Sequence, residues 1–332
     1  MRMKRAWIVV GIALALPLAG CSGEPADTEA VAVACDRACL LALGDAYVAG
    51  VAAHDPGSLP LAEDFAIVEN AERIEPGTGL WATASGGATG FALPVPDEEA
   101  QTIGWLGVME NEGKPIELGL RLDLVDGKIV RAEHRWAELR GQVMANMQAP
   151  REGMLSEIPP DQRLDRAALI RIGASYYDAL DDNDGSKMPF AADCQRIENG
   201  MITAGEGAGS GPASRGFEIA RDCAGQLTSG VMTYISTVDD RDAFAADPVT
   251  GLVMGFSILR HTMDFESYPV TGVDGTTIEF GRDRFDYDPF DNLAAHVFKV
   301  GSEGEVHQIE AVGRQLPHPL ADGWTGETRI RS

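Results

Sequence analysis

The stretches PLAEDFAIVEN (Pro60–Asn70) and PFAADCQRIEN (Pro189–Asn199) carry the same Pro, Ala, Asp, Glu and Asn at the same spacing. They lie 129 positions apart (189 − 60), and the match extends without a gap back to Asp36 and Asp165. Over these 35 positions 12 residue pairs are identical, where chance would give about two or three, so the sequence predicts a duplicated domain. The identical pairs include Arg37/Arg166, Tyr47/Tyr176, Asp55/Asp184, Glu69/Glu198 and Asn70/Asn199.

Each copy shows the same order of predicted elements. Apolar residues recur at helical spacing after the candidate N-caps Asp36 and Asp165, which predicts an amphipathic helix. Later, alternating apolar residues flank the turns Asp126-Gly127 and Glu303-Gly304, which predicts a hairpin. One helix followed by a long antiparallel sheet is an α+β plan. We predict two tandem cone-shaped domains, each a curved antiparallel sheet packed on one or more helices, with a pocket at its open end.

Changes in composition divide the chain into six predicted segments. Two of them, the tether and the linker, are rich in small polar residues or in proline, a composition typical of such connecting segments. The segments are a signal peptide at 1–20, a flexible tether at 21–34, a first cone domain at 35–149, a linker at 150–163, a second cone domain at 164–316 and a tail at 317–332.

The first twenty residues have the layout of an export signal. Basic residues between positions 2 and 5 precede an apolar core at 6–16, which is too short to span a bilayer comfortably. The closing Leu18-Ala19-Gly20-Cys21 resembles the bacterial lipoprotein box, in which the Cys is lipidated, and Ser22 after it favours the outer membrane. The alternative is an ordinary cleaved signal with a chance Cys. We therefore expect an exported protein, lipid-anchored through Cys21 in the periplasm at the outer membrane.

The charge of the chain restricts its partners. The formal net charge is −24, and it becomes −27 once Arg2, Lys4 and Arg5 are removed. Such a surface repels phosphate backbones, so we expect no nucleic-acid partner, and it disfavours anionic ligands unless a local basic pocket exists. No Cys-x-x-Cys, clustered histidines, phosphate loop or dinucleotide fingerprint occurs in the sequence, so we predict no metal and no cofactor. The oligomeric state stays open.

Four cysteines follow Cys21, an even number for an oxidising compartment. Cys194 and Cys223 bracket a glycine-rich segment of the second copy, and we predict a disulfide between them. Cys35 and Cys39 lie four residues apart at a predicted helix start. A frayed first turn would let these two pair, and free thiols are the alternative.

Several stretches resemble known cone folds. AYVAGVAAHDPGSLPLAEDFAIVEN (46–70) looks like the opening of nuclear transport factor 2-like, SnoaL-like and ketosteroid isomerase-like domains, and LRLDLVDGKIV (120–130) is similar to the late hairpin of SnoaL-like domains. MPFAADCQRIENG (188–200) and AAHVFKVGSEGEVHQIE (294–310) resemble a two-copy family of exported fungal and bacterial proteins of unknown function. The resemblance implies the fold and a small apolar or aromatic ligand, and it supplies no reaction.

The same resemblance implies candidate site residues. In ketosteroid isomerase-like sites a helix-borne Tyr donates to a developing oxyanion, and Tyr47 and Tyr176 match that place. The strand-end carboxylate that acts as base is replaced by Asn70 and Asn199, which cannot take up a proton, although a Glu precedes each. The place of the second, late acid is taken by Leu120 in the first copy and by His296 in the second. The candidates are catalytic His296, Tyr176 and Glu198, and pocket residues Tyr47, Asn70, Tyr177 and Asn199.

Three functions fit these observations. The first is an envelope protein that binds a small apolar or aromatic molecule in a cone pocket. The second is a cofactor-independent lyase, isomerase or dehydratase, with His296 as base and Tyr176 as oxyanion donor. The third is a structural or assembly lipoprotein whose cones are filled by side chains. Convergence of Tyr176, Glu198 and His296 on one cavity is the geometric requirement of the enzyme hypothesis.

Overall fold

The computed structural model describes residues 34–209 and 214–325. The predicted signal peptide, Cys21, nearly all of the tether and the last residues of the tail lie outside the described residues. Within those two ranges, none of the helices combines the length and the apolar character needed to cross a bilayer.

The first half begins with the predicted helix. Helix α1 spans Arg37–Ala52 and starts at the N-cap Asp36, whose carboxylate accepts from the backbone N–H of Cys39 at 2.8 Å. It is followed by a short helix, α2 (Leu80–Thr83), and seven strands, which pair in the order β2-β1-β7-β6-β5-β3, with β4 also on β5. The strands are β1 Leu61–Glu69, β2 Glu72–Ile74, β3 Ala84–Gly86, β4 Ala92–Asp97, β5 Thr102–Asn111, β6 Lys114–Val125 and β7 Lys128–Glu138.

The second half repeats this plan. Helix α3 (Arg166–Asp181) starts at the N-cap Asp165, and a six-stranded sheet follows in the order β10-β11-β14-β15-β8-β9. A two-stranded hairpin, β12–β13, has no counterpart among the described elements of the first half, whereas helix α4 (Cys223–Thr228) has the same place in the element order as α2. The strands are β8 Phe190–Glu198, β9 Met201–Ala204, β10 Thr237–Asp247, β11 Leu252–His261, β12 Ser267–Thr271, β13 Thr277–Gly281, β14 Phe290–Val300 and β15 Val306–Pro317.

The predicted fold class is confirmed: each half is a curled, mostly antiparallel sheet packed on a helix. One feature departs from the prediction, because β1 pairs with β7 and β8 with β15 in parallel. The predicted hairpin turn at Asp126-Gly127 is present, with positive φ at both residues (51° and 73°). This backbone matches the twist of the flanking strands and suits an Asp-Gly pair.

Three apolar clusters make up most of the core. One lies between α1 and the inside of the first sheet, and one between α3 and the inside of the second. The third lies between the outer faces of the two sheets and draws residues from both halves, among them Leu106, Val108, Met254, Phe256 and Val297. The two halves are therefore joined sheet against sheet, as in an intramolecular dimer.

Reciprocal ion pairs connect the halves at the edges of this interface. Arg37 of α1 binds Asp247 at the end of β10, with Nη2 and Oδ2 2.8 Å apart. Arg166 of α3, the repeat counterpart of Arg37, binds Asp97 at the end of β4 at 2.7 Å. Both carboxylates are buried. Each half thus gives one arginine and one aspartate to the other, which is the pattern of an interface with approximate two-fold symmetry.

A buried arginine crosses the centre of the interface. Arg135 of β7 binds Glu133 at 2.7 Å and donates to the carbonyl oxygens of Ser257 and Ala294 in the second sheet at 2.7 and 3.0 Å. Glu133 also accepts from the indole Nε1 of Trp324 at 2.6 Å. The end of the described tail, at Gly323 and Trp324, thereby lies against the first half, whereas His318 and Leu320 bond to Asp291 of the second half.

Two further carboxyl groups at the interface are nearly free of partners. Glu117 of β6 is fully buried and neither of its oxygens accepts a hydrogen bond. Glu310 of β15 is equally buried, and its nearest cation is Arg151 at 3.2 Å. Burial raises the pKa of Glu310 to about 7 and raises the pKa of Glu117 well above its usual value. Both groups are therefore held largely in the neutral form at mildly acidic pH.

Replacing Arg166 with Met tests the reciprocal ion pairs. The change leaves the buried carboxylate of Asp97 with only its backbone N–H donors, so we expect the free energy of unfolding to fall by about 2 kcal/mol. This loss is smaller than the value of about 3–5 kcal/mol typical of breaking a fully buried pair, because Arg166 is partly exposed. Urea denaturation measures the loss. Arg140→Met, which removes an exposed pair with Glu138, is the matched control and should change stability by about 0.5 kcal/mol or less. Equal effects of the two variants would contradict the role of the interface pair.

Candidate functional site

A cavity of about 280 Å³ opens at the wide end of the second sheet. Its walls come from the ends of β8, β11, β14 and β15, from residues 214–234, and from the segment after β13. Because sheet ends and connecting segments meet here, side chains far apart in sequence face the same space. The lining residues that matter most are Glu198, Arg221, Tyr234, His261, Arg284, Phe285, Phe290 and Asn292.

Aromatic rings form one side of the cavity. His261 at the end of β11 stacks on Phe290 at the start of β14, with ring centroids 4.0 Å apart and planes 13° apart. Tyr234 leans on both His261 and Phe285, at 5.4 and 5.2 Å between centroids. Flat, rigid faces of this kind contact a planar ligand over a large area at little cost in side-chain entropy.

A charged network at the end of β8 also borders the cavity. Glu198 at the end of β8 binds Arg196 at 2.8 Å through Oε2 and accepts from Asn292 at 3.1 Å through Oε1. Arg196 also donates to the hydroxyl of Tyr176 at 2.7 Å. Although burial opposes ionisation of Glu198, the charge and hydrogen bonds of Arg196 outweigh it and hold the pKa of Glu198 below its usual value. The carboxylate is therefore ionised and already neutralised by a neighbour.

Gly313 makes room for this network. A Cβ atom at this position would lie 2.6 Å from Oε1 of Glu198 and 2.7 Å from Nδ2 of Asn292. The register of the parallel strand pairs places Trp136 at the equivalent point of the first half. Gly313 thus leaves a space open in the second half, whereas the side chain of Trp136 enters the equivalent space in the first half.

Three polar side chains of the cavity, His261, Tyr234 and Asn292, each have an atom without a hydrogen-bond partner among the described residues. The Nδ1 atom of His261 bonds to the carbonyl oxygen of Leu259 at 2.9 Å, so Nδ1 carries the proton and Nε2 is left as an acceptor. Burial lowers the pKa of His261 to about 4, and the ring is neutral at pH 7. Burial likewise raises the pKa of Tyr234 to about 12, so its hydroxyl keeps its proton. Oδ1 of Asn292 is buried without a partner.

The predicted disulfide fixes one wall of the cavity. Cys194 of β8 is bonded to Cys223 at the first turn of α4, with Cα atoms 5.9 Å apart. It ties the segment 214–234, which lines the cavity, to the sheet. Cys35 and Cys39 are also bonded to each other, which decides between the two alternatives for that pair.

The predicted catalytic residues do not converge on the cavity. Glu198 lines it, and Tyr176 is connected to Glu198 by two hydrogen bonds through Arg196. His296 does not line it. That ring is fully buried among Tyr176, Tyr177 and Phe298, and neither ring nitrogen has a partner. Burial lowers the pKa of His296 well below its usual value, which leaves an unreachable neutral imidazole where the sequence predicted a base.

The predicted pocket residues belong to the core and to turns. Tyr47 and Tyr177 are fully buried on the helix faces that contact the sheets. Asn70 and Asn199 occupy left-handed positions at strand ends, and their Oδ1 atoms each accept from a backbone N–H, of Trp136 and of Gly313, at 2.9 Å. None of the four lines the cavity. The physical reason is that a turn after the strand points the Asn side chain along the sheet.

The first half uses its equivalent space differently. Tyr47 bonds to Nε2 of His134 at 2.9 Å, and Nδ1 of His134 bonds to Glu69 at 3.1 Å. Trp81 of α2 is fully buried, with its ring 5.3 Å from that of Tyr47 in an edge-to-face contact. An internal side chain therefore occupies the position where a ligand would meet the helix-borne tyrosine.

Sequence reasoning missed most of the residues that form the cavity. Arg196 carried a usable signal, because it lies two positions before Glu198 on a predicted strand and so shares its face. Tyr234, His261 and Phe290 carried none, because they lie in or beside the segments that the first copy lacks. Within the described ranges, no cluster of three or more His, Cys, Asp or Glu residues could hold a metal ion.

Comparisons with known proteins each cover less than half of the chain. Residues 162–313 match a domain of unknown function (DUF8021). Among solved structures, the chain is similar to a putative polyketide cyclase from Silicibacter sp. TM1040, with 14% sequence identity, coverage of 46% of this chain and 93% of the cyclase chain, and a TM-score of 0.28. No curated protein matches the chain. The first half lies outside the DUF8021 match, so membership of both halves in one two-copy family stays a prediction.

Replacing His296 with Leu, the residue at the equivalent place in the first half, tests the structural role of this ring. Removing two buried nitrogens without partners should stabilise the protein by about 1 kcal/mol at pH 7.5. At pH 5.5 the advantage should grow by about 1 kcal/mol, because only the unfolded wild-type chain takes up a proton on this histidine below pH of about 6.5. Urea denaturation at the two pH values measures both effects. A destabilised variant, or an advantage that shrinks at acid pH, would contradict this assignment.

Proposed function

We propose that the protein binds a small, planar aromatic molecule in the cavity of its second half. The observation that carries the proposal is the cavity itself, which is lined by the stacked rings of His261 and Phe290 and by Tyr234, and where the buried Oδ1 of Asn292 has no partner among the described residues. Buried polar atoms without partners cost free energy, and a bound molecule can remove that cost. The volume of about 280 Å³ suits one or two rings, since a cavity of about 150 Å³ holds a benzene.

Binding fits the chemistry of the cavity better than catalysis does. A general base works best when its pKa lies near the working pH. The carboxylate of Glu198 is held ionised by Arg196, and the pKa of His261 is lowered to about 4, so both are weak bases at pH 7. His296, the base required by the enzyme hypothesis, is out of reach. The cavity also argues against a purely structural protein with filled cones.

Filling the cavity tests this proposal. Ala220 lines it and is only half-buried, so Ala220→Trp should occupy the space without disturbing the core. The probe is 2-naphthol, observed by saturation-transfer NMR and by calorimetry. We expect binding by the wild type and a loss of at least about tenfold in affinity for Ala220→Trp, as expected when the contacts of one ring, more than about 1.4 kcal/mol, are lost.

The matched control is Val273→Trp, which adds the same side chain at an exposed position outside the cavity. This variant should bind 2-naphthol as the wild type does. Absence of wild-type binding, or unchanged binding by Ala220→Trp, would refute the proposal.

We further propose that the protein acts in the periplasm as an outer-membrane lipoprotein anchored through Cys21. The support is the sequence of the first 22 residues, together with two disulfides, which persist in oxidising compartments. Replacing Cys21 with Ala should move the protein from the membrane fraction to the soluble fraction, and mass spectrometry of the wild type should show a lipid-modified N-terminal Cys. An unmodified Cys21 would contradict the anchor.

A further inference from the structure

We propose that the ligand of this cavity is an aromatic acid, held with its anionic group beside Arg221 and Arg284 and with a hydrogen-bond donor at its inner end. This inference rests on the proposed function and specifies the class of ligand. It is carried by the distribution of charge and of hydrogen-bonding atoms around the cavity.

The cavity is locally basic in a strongly acidic protein. The whole chain has a formal net charge of −24, yet the ionised side chains that line the cavity are Glu198, Arg221 and Arg284. The negative charge of Glu198 is neutralised by Arg196, 2.8 Å away. With Arg196 counted beside Glu198, three guanidinium groups and one carboxylate lie at the cavity, and this local excess of positive charge attracts anions in a partly enclosed site.

Arg221 is exposed and Arg284 is half-buried, whereas His261 and Asn292 are buried, so we place the two arginines toward the mouth of the cavity. Arg221 donates to the carbonyl oxygen of Ala208 at 3.1 Å and makes no ion pair with a described residue. Its neighbour Asp222 is engaged as the N-cap of α4, accepting from the N–H of Gly225 at 2.8 Å. Arg284 lies over the ring of Phe280 at 4.3 Å, which orients its planar group. Guanidinium groups bind carboxylates with two parallel hydrogen bonds.

The inner end of the cavity presents mainly acceptors. Nε2 of His261 and the buried Oδ1 of Asn292 are acceptors without a hydrogen-bond partner among the described residues, whereas the oxygens of Glu198 already accept from Arg196 and Asn292. A ligand that donates a hydrogen bond here satisfies atoms that otherwise lack a partner, whereas one without a donor leaves them unpaired and loses affinity. A hydroxyl group on the aromatic ring, opposite the acid, has this complementarity.

An aromatic amine or a purely apolar molecule fits the cavity poorly. An aromatic amine would place its cation beside Arg221 and Arg284, and like charges at a partly enclosed site repel. A purely apolar molecule would contact the rings of Phe290 and Phe285 but leave the inner acceptors without donors. The ring stack therefore provides contact area, and the charged and polar groups decide which aromatic molecule is retained.

A set of probes that share one ring system tests the inference. The probes are 6-hydroxy-2-naphthoic acid, its carboxamide, 6-(aminomethyl)-2-naphthol, 2-naphthoic acid and 2-naphthol, measured by calorimetry with the full mature protein at pH 7.5 and low salt. We expect the hydroxy acid to bind at least about tenfold more tightly than its amide and than the acid that lacks the hydroxyl. The amine should bind most weakly, and the preference for the acid should decrease at high salt.

Two variants test whether Arg221 and Arg284 cause the preference for the acid over the amide. Arg221→Met, a change at an exposed side chain, and Arg221→Met combined with Arg284→Met should each reduce the ratio of acid to amide affinity, the double variant to near one. Arg171→Met removes the same charge from the exposed face of α3, away from the cavity, and should leave the ratio unchanged.

The outcomes separate this inference from the proposed function. If 2-naphthol binds but the amide or the amine binds as tightly as the hydroxy acid, the aromatic acid is excluded and aromatic binding stands. An unchanged ratio in Arg221→Met and in the double variant overturns the inference in the same way. If no probe binds, both the inference and the proposed function fail.

Discussion

The reciprocal ion pairs Arg37–Asp247 and Arg166–Asp97 constrain the rest of the structure. Each joins the helix start of one half to the sheet edge of the other, so both cones are fixed back to back with their open ends accessible. Arg135 adds a central link by donating to two carbonyl oxygens of the second sheet. These contacts explain why a duplicated arginine persists at the start of both helices: an interface with approximate two-fold symmetry uses the same residue twice.

On this shared scaffold the two cones have different contents. In the first, Trp81 packs against Tyr47 and fills the space under the helix. In the second, Gly313 stands where the first half has Trp136, and added segments between β9 and β14 extend the walls with aromatic rings. A close-packed interior leaves no free volume. The cavity therefore depends on the small residue Gly313 on the strand and on the added segments that form its walls. The two halves thus share one frame and differ in what fills it.

The duplicated Tyr and Glu are connected in both halves, but through different bridges. His134 of β7 links Tyr47 to Glu69, whereas Arg196 of β8 links Tyr176 to Glu198. The imidazole contacts both groups through its two ring nitrogens, whereas the guanidinium is a permanent cation. The second half therefore holds a fixed ion pair beside its cavity.

The sequence by itself determined the elements that depend on local rules. The repeat, the helices capped by Asp36 and Asp165, the Asp-Gly turn and the Cys194–Cys223 bond all follow from short-range patterns or pairing of few cysteines. Only the tertiary structure decided which side chains meet. His296 and Asn292 lie on the same strand, four residues apart. Asn292 therefore lines the cavity, whereas His296 lies in the core beneath Tyr176. Tyr234, His261 and Phe290 come together because separate segments converge at the end of the sheet. Contacts between distant segments produce no periodic pattern in the sequence, so the sequence does not predict them.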